Sequence, residues 1–208
     1  MKGYLNFTKN GYVKAAKSFD PHALDVDMSD RNVVVTGANT GIGYAVAEAL
    51  ASRKASVHMV CRNEARGTAA MEKIRGKVPD ATLTLHVCDV SSLASVKEFA
   101  GGWKEAGLPL HVLVNNAGCM VHDQSVKSAD GYDINFATNT LGTFALTRLM
   151  QPVLDETAQN ASEPVRVITV SSGGMLTEPL VVDDLEGSTL RYVYQCPVFD
   201  DGKFERPS

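Results

Sequence analysis

Val33-Val34-Val35-Thr36-Gly37-Ala38-Asn39-Thr40-Gly41-Ile42-Gly43 sets three glycines between a β-branched run and an Ala-rich stretch of helical period. Glycine lets a strand turn sharply there, and it lets backbone N–H groups approach a ligand that a Cβ would hold away. The helix that follows begins with unpaired N–H donors and the positive end of its dipole, so the turn reads as a cradle for a pyrophosphate. Its candidate binding residues are Gly37, Asn39, Thr40, Gly41, Ile42 and Gly43. A glycine-rich turn alone is a weak signal. The strand before it and the helix after it make a chance turn the poorer reading.

Outward from this turn, short apolar runs alternate with longer stretches of helical period. The runs Asn32 to Thr36, Val57 to Cys61, Leu83 to Cys88, His111 to Asn115 and Arg166 to Ser171 read as strands buried on both faces. Helices are expected at Gly41 to Arg53, Glu64 to Lys77, Ser91 to Glu105 and from about Asp133 to Glu156. Pro79 and Asp80, Gly107 and Pro109, and Pro164 punctuate the boundaries. Right-handed crossovers between parallel strands put helices on both sides, which predicts an α/β fold: a Rossmann-type, doubly wound parallel sheet. After Glu186 the periodicity fades. The expected organisation is a basic aromatic segment over 1–30, a nucleotide-binding domain over 31–186 and an irregular tail over 187–208.

Composition narrows the function classes. The chain has 208 residues, 44% of them hydrophobic, enough for one core. A net charge of -4 and the lack of a long basic block argue against nucleic acid as a partner. Cys61, Cys88, Cys119 and Cys196 form no CxxC pair, which fits a reducing, cytoplasmic compartment and small buried hydrophobes. The histidines lack ligand spacing, so no metal is expected. No apolar run is long enough to span a bilayer, and no secretory core opens the chain. Met1 to Phe19 carries Lys2, Lys9, Lys14 and Lys17, interleaved with Tyr4, Phe7, Tyr12 and Phe19, and no acid before Asp20. Such a stretch can lie weakly on a membrane surface or serve as an organellar address. A helix packing its aromatics on its own domain is the preferred reading.

The glycine spacing is TGxxxGxG rather than GxGxxG. Thr36-Gly37-xxx-Gly41-Ile42-Gly43, then Asn115-Asn116-Ala117-Gly118, then Ser171-Ser172 after a strand resembles the short-chain dehydrogenase/reductase family in order and spacing. The resemblance runs from about Asn32 to Ser172 and implies an oxidoreductase that binds a nicotinamide cofactor. NAD-selective folds place a carboxylate at the end of the second strand. Here Cys61 stands there and Arg62 follows, a guanidinium suited to a 2′-phosphate, so the expected cofactor is NADPH. Two other roles for Arg62 stay open: covering the sheet surface, or pairing with Glu64. The resemblance also puts Asp89 and Val90 at the adenine and the backbone of Asn116, Ala117 and Gly118 along the adenosine, and it assigns Asn115 to the sheet.

For catalysis the family uses a Ser at the carbonyl, a Tyr as proton donor, a Lys beside it and an Asn that orders a water. Ser172 and Asn139 match the first and last. A Tyr followed four residues later by Lys is missing: Tyr192 is followed by Cys196 and Tyr194 by Val198, and Lys203 lies too far along. The helix that carries the pair is missing as well, as are the later strands and the Pro-Gly turn that leads to a substrate lid. The resemblance therefore implies a sheet incomplete after the fifth strand, a product of an alternative transcript or frameshift near Glu186, and a chain silent in catalysis. Against this stands an active NADPH-dependent reductase of a lipophilic carbonyl or alcohol, using another donor. The small-molecule substrate and self-association are not legible.

Overall fold

The structure, a computed structural model, describes residues 8–173 and 182–184. Five parallel strands form one sheet: β1 (Asn32–Thr36), β2 (Ser56–Cys61), β3 (Leu83–Val87), β4 (Val112–Asn115) and β5 (Arg166–Thr169), in the order β3-β2-β1-β4-β5. The order runs outward from β1 in both directions, which is the doubly wound arrangement. Helices α2 (Gly41–Ala51) and α3 (Glu64–Lys77) connect β1 to β2 and β2 to β3. Helix α4 (Leu93–Glu105) connects β3 to β4. Between β4 and β5 run a short α5 (Ile134–Phe136), a π-helical turn over Ala137–Gly142 and α6 (Thr143–Asn160).

Alternation along the strands builds two cores. Val33 and Val35 of β1 pack with Val57, Met59 and Cys61 of β2 against Ala47, Ala51, Ala70 and Ile74 of α2 and α3. Val34 points the other way, with Val60 and Leu113, against Val96, Phe99 and Trp103 of α4 and Leu146, Met150 and Leu154 of α6. Burying each such side chain stabilises the fold by about 1.5–3 kcal/mol before chain entropy is subtracted. Two histidines sit in the second layer. His58 Nδ1 and His86 Nε2 lie 2.9 Å apart, and His58 meets the Trp103 ring edge to face at 4.5 Å.

The expected strands and helices are present with small boundary shifts, and three expectations need correction. Burial on both faces holds for β1, β2 and most of β4. It fails at both edges of the sheet, since Val87 of β3 and every residue of β5 are exposed. An apolar run states what a strand can bury, and the neighbouring layer decides whether it does. The long helix is not continuous, because the π-helical turn inserts one extra residue per turn before α6 resumes and runs through Pro152. The N-terminal helix α1 (Lys9–Ala16) exists, capped by the Thr8 side chain, yet it buries none of its residues, so Tyr12 and, just beyond it, Phe19 do not pack on the domain, while Tyr4 and Phe7 lie outside the described residues. The expected tail, with Tyr192, Tyr194, Cys196 and Lys203, lies outside the described residues.

Candidate nucleotide-binding site

The turn after β1 takes the shape its glycines permit. Gly37 and Gly41 have φ of +65° and +58°, the left-handed region that L side chains avoid. A Cβ on Gly43 would lie 2.4 Å from both Asn116 Nδ2 and Gly37 O, so the turn closes on its own helix only without one. Gly37 N–H donates to Val60 O at 2.9 Å, which ties the turn to the end of β2, where burial pushes the Cys61 thiol's pKa up against the backbone N–H groups of Ala38 and Asn39.

Thr36 locks this turn to the one after β4. Its hydroxyl accepts from the N–H groups of Asn116 and Ala117, both at 2.9 Å, and Asn116 Nδ2 donates to Thr36 O at 2.9 Å. Asn115 is buried and donates through Nδ2 to Thr147 of α6 at 2.9 Å, so it joins the sheet to a helix. The two turns form one rigid floor at the carboxyl ends of the central strands, and Gly118 lies exposed at its rim.

Helix α2 meets this floor with its amino end open. Among the described residues, the four other α-helices that begin from a loop are capped by a side chain: α1 by Thr8, α3 by Asn63, α4 by Ser92 and α5 by Asp133. Thr40, the N-cap of α2, makes no such bond. A helix leaves its first N–H groups without intrahelical partners, so those of Gly41, Ile42 and Gly43 remain as donors directed outward, at the positive end of the dipole. Arg62, just past β2, is exposed and forms no ion pair with Glu64 or any other acid among the described residues.

The loop after β3 forms a third wall. Asp89 Oδ1 accepts from the N–H and the hydroxyl of Ser91 at 2.9 and 2.7 Å, which orients the carboxylate, while the Asp89 N–H donates to Ser95 Oγ at 3.0 Å. Val90 is buried beneath the π-helical turn. A Cβ on Gly142 would lie 1.8 Å from Val90 O, so this approach is open to glycine alone.

Asn139 sits in the π-helical turn and holds the chain beyond Gly118. Its Oδ1 accepts from Cys119 N–H and its Nδ2 donates to Cys119 O, both at 2.9 Å. Asn135 does the same to Val121, at 2.7 and 2.9 Å. Two asparagines four apart thus clamp alternate residues of one extended segment. Both ends of the Asn139 amide are thus engaged with the backbone of Cys119. Ser172 is exposed, three residues past β5 at the same end of the sheet.

The structure therefore brings the glycine turn, Asn116, Ala117, Gly118, Asp89, Val90 and Asn139 together, with Arg62 at one edge and Ser172 beyond the other. The roles of Thr36, Ser91, Asn135 and Gly142 went unread in the sequence. Thr36 stood inside the glycine motif, and Asn135 and Gly142 flanked Asn139, but which strands adjoin decides what each one holds. Among the described residues no helix is long and apolar enough to cross a membrane.

A family model for short chain dehydrogenases matches residues 31–180. The chain is 42% identical over 185 residues to human dehydrogenase/reductase SDR family member 12, covering 89% of this chain and 56% of the relative. It is 37% identical to bovine retinol dehydrogenase 12, covering 78% of this chain and 50% of the relative. The chain thus spans about half the length of these curated relatives. A metagenomic short-chain oxidoreductase solved in complex with NADP superposes with a TM-score of 0.62 at 28% identity, covering 74% of this chain and 67% of that one.

Proposed function

The chain belongs to the short chain dehydrogenase family, and from that premise we propose that residues 31–186 form an NADP-binding domain that holds the adenosine half of the cofactor and does not itself turn over substrate. The observation that carries the reading is the open amino end of α2 on a glycine turn, where every other loop-started helix among the described residues is capped by its own side chain. The N–H groups of Gly41, Ile42 and Gly43, with Asn39 and Thr40 beside them, would take the pyrophosphate, and the space beside Gly43 is one that a Cβ would fill. Arg62, exposed and without an acid partner, would pair with the 2′-phosphate and so select NADPH over NADH. Asp89 and Val90 would meet the adenine, and the Asn116 to Gly118 backbone the ribose.

When bound, the nicotinamide supplies a hydride. The chain's own residues cover only part of the remaining work. Ser172 would hydrogen-bond a carbonyl oxygen, and Asn139, held by its side chain against Cys119, would help order a water. A Tyr with a Lys four residues on is absent from the 208-residue sequence. With no such pair to deliver the proton, catalysis loses roughly 10²- to 10⁴-fold. Relatives named for retinol suggest a lipophilic alcohol or carbonyl as the substrate class of the longer proteins. The free Cys61, Cys88 and Cys119 fit a reducing, cytoplasmic compartment.

Calorimetric titration of the chain with NADPH and with 2′,5′-ADP, beside an NADPH-oxidation assay over lipophilic carbonyls, tests this. Affinities within a few fold of one another and no oxidation are expected. Much tighter NADPH binding with substrate-dependent oxidation overturns the silent reading and points to a donor among Tyr192, Tyr194 and Lys203.

A further inference from the structure

Helix α1 is the one long element among the described residues that belongs to neither core. It buries no residue, and from it to β1 the side chains of Tyr12, Val13, Phe19, Leu24 and Val26 each keep half or more of their surface exposed. The exposure is clustered, for the Tyr12 and Phe19 rings meet edge to face at 6.2 Å. Up to Phe19 the charge is of one sign, Lys2, Lys9, Lys14 and Lys17 preceding the first acid, Asp20, while the whole chain carries a net charge of -4. Of the acids that follow, Asp25 lies 2.8 Å from His22 Nδ1 and Asp27 pairs with Lys54 at 2.7 Å.

The segment is also moored at a defined place. Met28 N–H donates to Arg53 O at 2.8 Å, and Arg53 Nε donates to Leu24 O at 2.5 Å. This mooring lies at the amino ends of β1 and β2. The glycine turn and the Asn116 turn lie at the carboxyl ends, a strand length or roughly 16 Å away. A surface held by this segment leaves the nucleotide-binding end open to solution.

We infer that residues 9–26 are a peripheral docking surface for an anionic lipid bilayer. Tyr12, Val13, Phe19, Leu24 and Val26 enter the headgroup layer, and Lys9, Lys14 and Lys17 face its negative charge. Aromatic side chains with a polar or apolar ring suit that boundary, and lysines beside them gain from the surface potential of an anionic leaflet. The lysines of the segment, with no acid among them before Asp20, favour the orientation that turns this end of the domain to the surface. This inference is independent of the cofactor reading.

Flotation of the full chain with vesicles tests it, since bound protein rises and aggregated protein sinks. The vesicles are phosphatidylcholine alone or phosphatidylcholine with about one-third phosphatidylserine. The chain is expected to float with the anionic vesicles and stay behind with the neutral ones. Lys14→Gln should lower partitioning about fivefold, and Lys9→Gln with Lys17→Gln about as much again for each charge. Tyr12→Ser with Phe19→Ser should release it from the anionic vesicles as well. As none of these residues is in a core, 2′,5′-ADP binding should be unchanged, which reports an intact domain. Equal flotation with neutral and anionic vesicles, or lysine variants that float like the parent, overturns the inference.

Discussion

β1 and β5 have nearly the same chemistry, Asn-Val-Val-Val-Thr and Arg-Val-Ile-Thr, and opposite surroundings. Val33, Val34 and Val35 are fully buried, whereas Val167 and Ile168 keep 44% and 45% of their surface exposed. The strands differ in their neighbours. β1 has a strand on each side and a helical layer on each face, and β5 has β4 alone among the described residues. The same contrast divides the functional site. Most of the residues proposed for adenosine and pyrophosphate follow the covered strands β1 and β4, and Thr36, Asn116 and Ala117 tie those two turns together by hydrogen bonds. Ser172, proposed for chemistry, stands past the exposed one. A strand's composition thus sets how much it can contribute, and a second layer is needed to realise it.

The largest expected difference is in stability. Met59→Ala, at a fully buried position of β2, should lower unfolding free energy by about 2–5 kcal/mol. Ile168→Ala should change it by no more than about 0.5 kcal/mol. Urea unfolding followed by the fluorescence of Trp103, the single tryptophan, measures both. Equal losses would show that β5 is covered in solution, and the contrast would fall.

Next in size is Gly142→Ala. The new Cβ must displace Val90 O, from which it would start 1.8 Å away, at about 1–3 kcal/mol of stability. Because Val90 adjoins Asp89, 2′,5′-ADP affinity should fall with it. Gly118→Ala, whose Cβ would lie 3.3 Å from Asn139 Oδ1, should do much less in the same two measurements. A tolerated Gly142→Ala would mean that the adenine wall is not fixed from this side.

Arg62→Asp sharpens the comparison at the edge of the covered half. A carboxylate there repels a 2′-phosphate and accepts from ribose hydroxyls, so NADPH should weaken roughly tenfold relative to NADH. Unchanged relative affinities would remove Arg62 from the phosphate site.

How far the sequence spoke follows the same division. The strand-turn-helix at Val33 to Gly43 was legible because period and glycine spacing agree locally. The π-helical turn was not, since one inserted residue in Ala137–Gly142 leaves residue types unchanged and only shifts the face they share. The exposure of α1 was hidden for another reason: amphipathic spacing marks an apolar face without stating what lies opposite. Thr36 could be read as a motif letter. Its work as the acceptor for Asn116 and Ala117 needs β4 beside β1, and strand order is a tertiary fact.

The smallest expected effect is acid sensitivity, and it too should come from the covered side. His58 Nδ1 and His86 Nε2, 2.9 Å apart, share one hydrogen as long as one of the two rings is neutral, and protonating both rings is what breaks the bond. A second proton sets two donors face to face beside Trp103 and Phe99. Burial, with repulsion from His86, pushes the His58 pKa from 6.5 down to about 4, and burial also lowers that of His86. The folded state therefore binds fewer protons than the unfolded chain below 6.5. The contribution is fully present above that pH and is lost as pH falls toward about 4. Between about pH 7 and about pH 5 the melting temperature should fall by roughly 2–4 °C. Glu48 and Asp27 add no loss in that window, since their lowered pKa values withdraw stability only below the ordinary carboxylate range. His58→Phe should remove most of the slope, with a remainder from His111, which burial and Arg31 hold below its usual value. A parallel fall in parent and variant would place the acid response outside this pair.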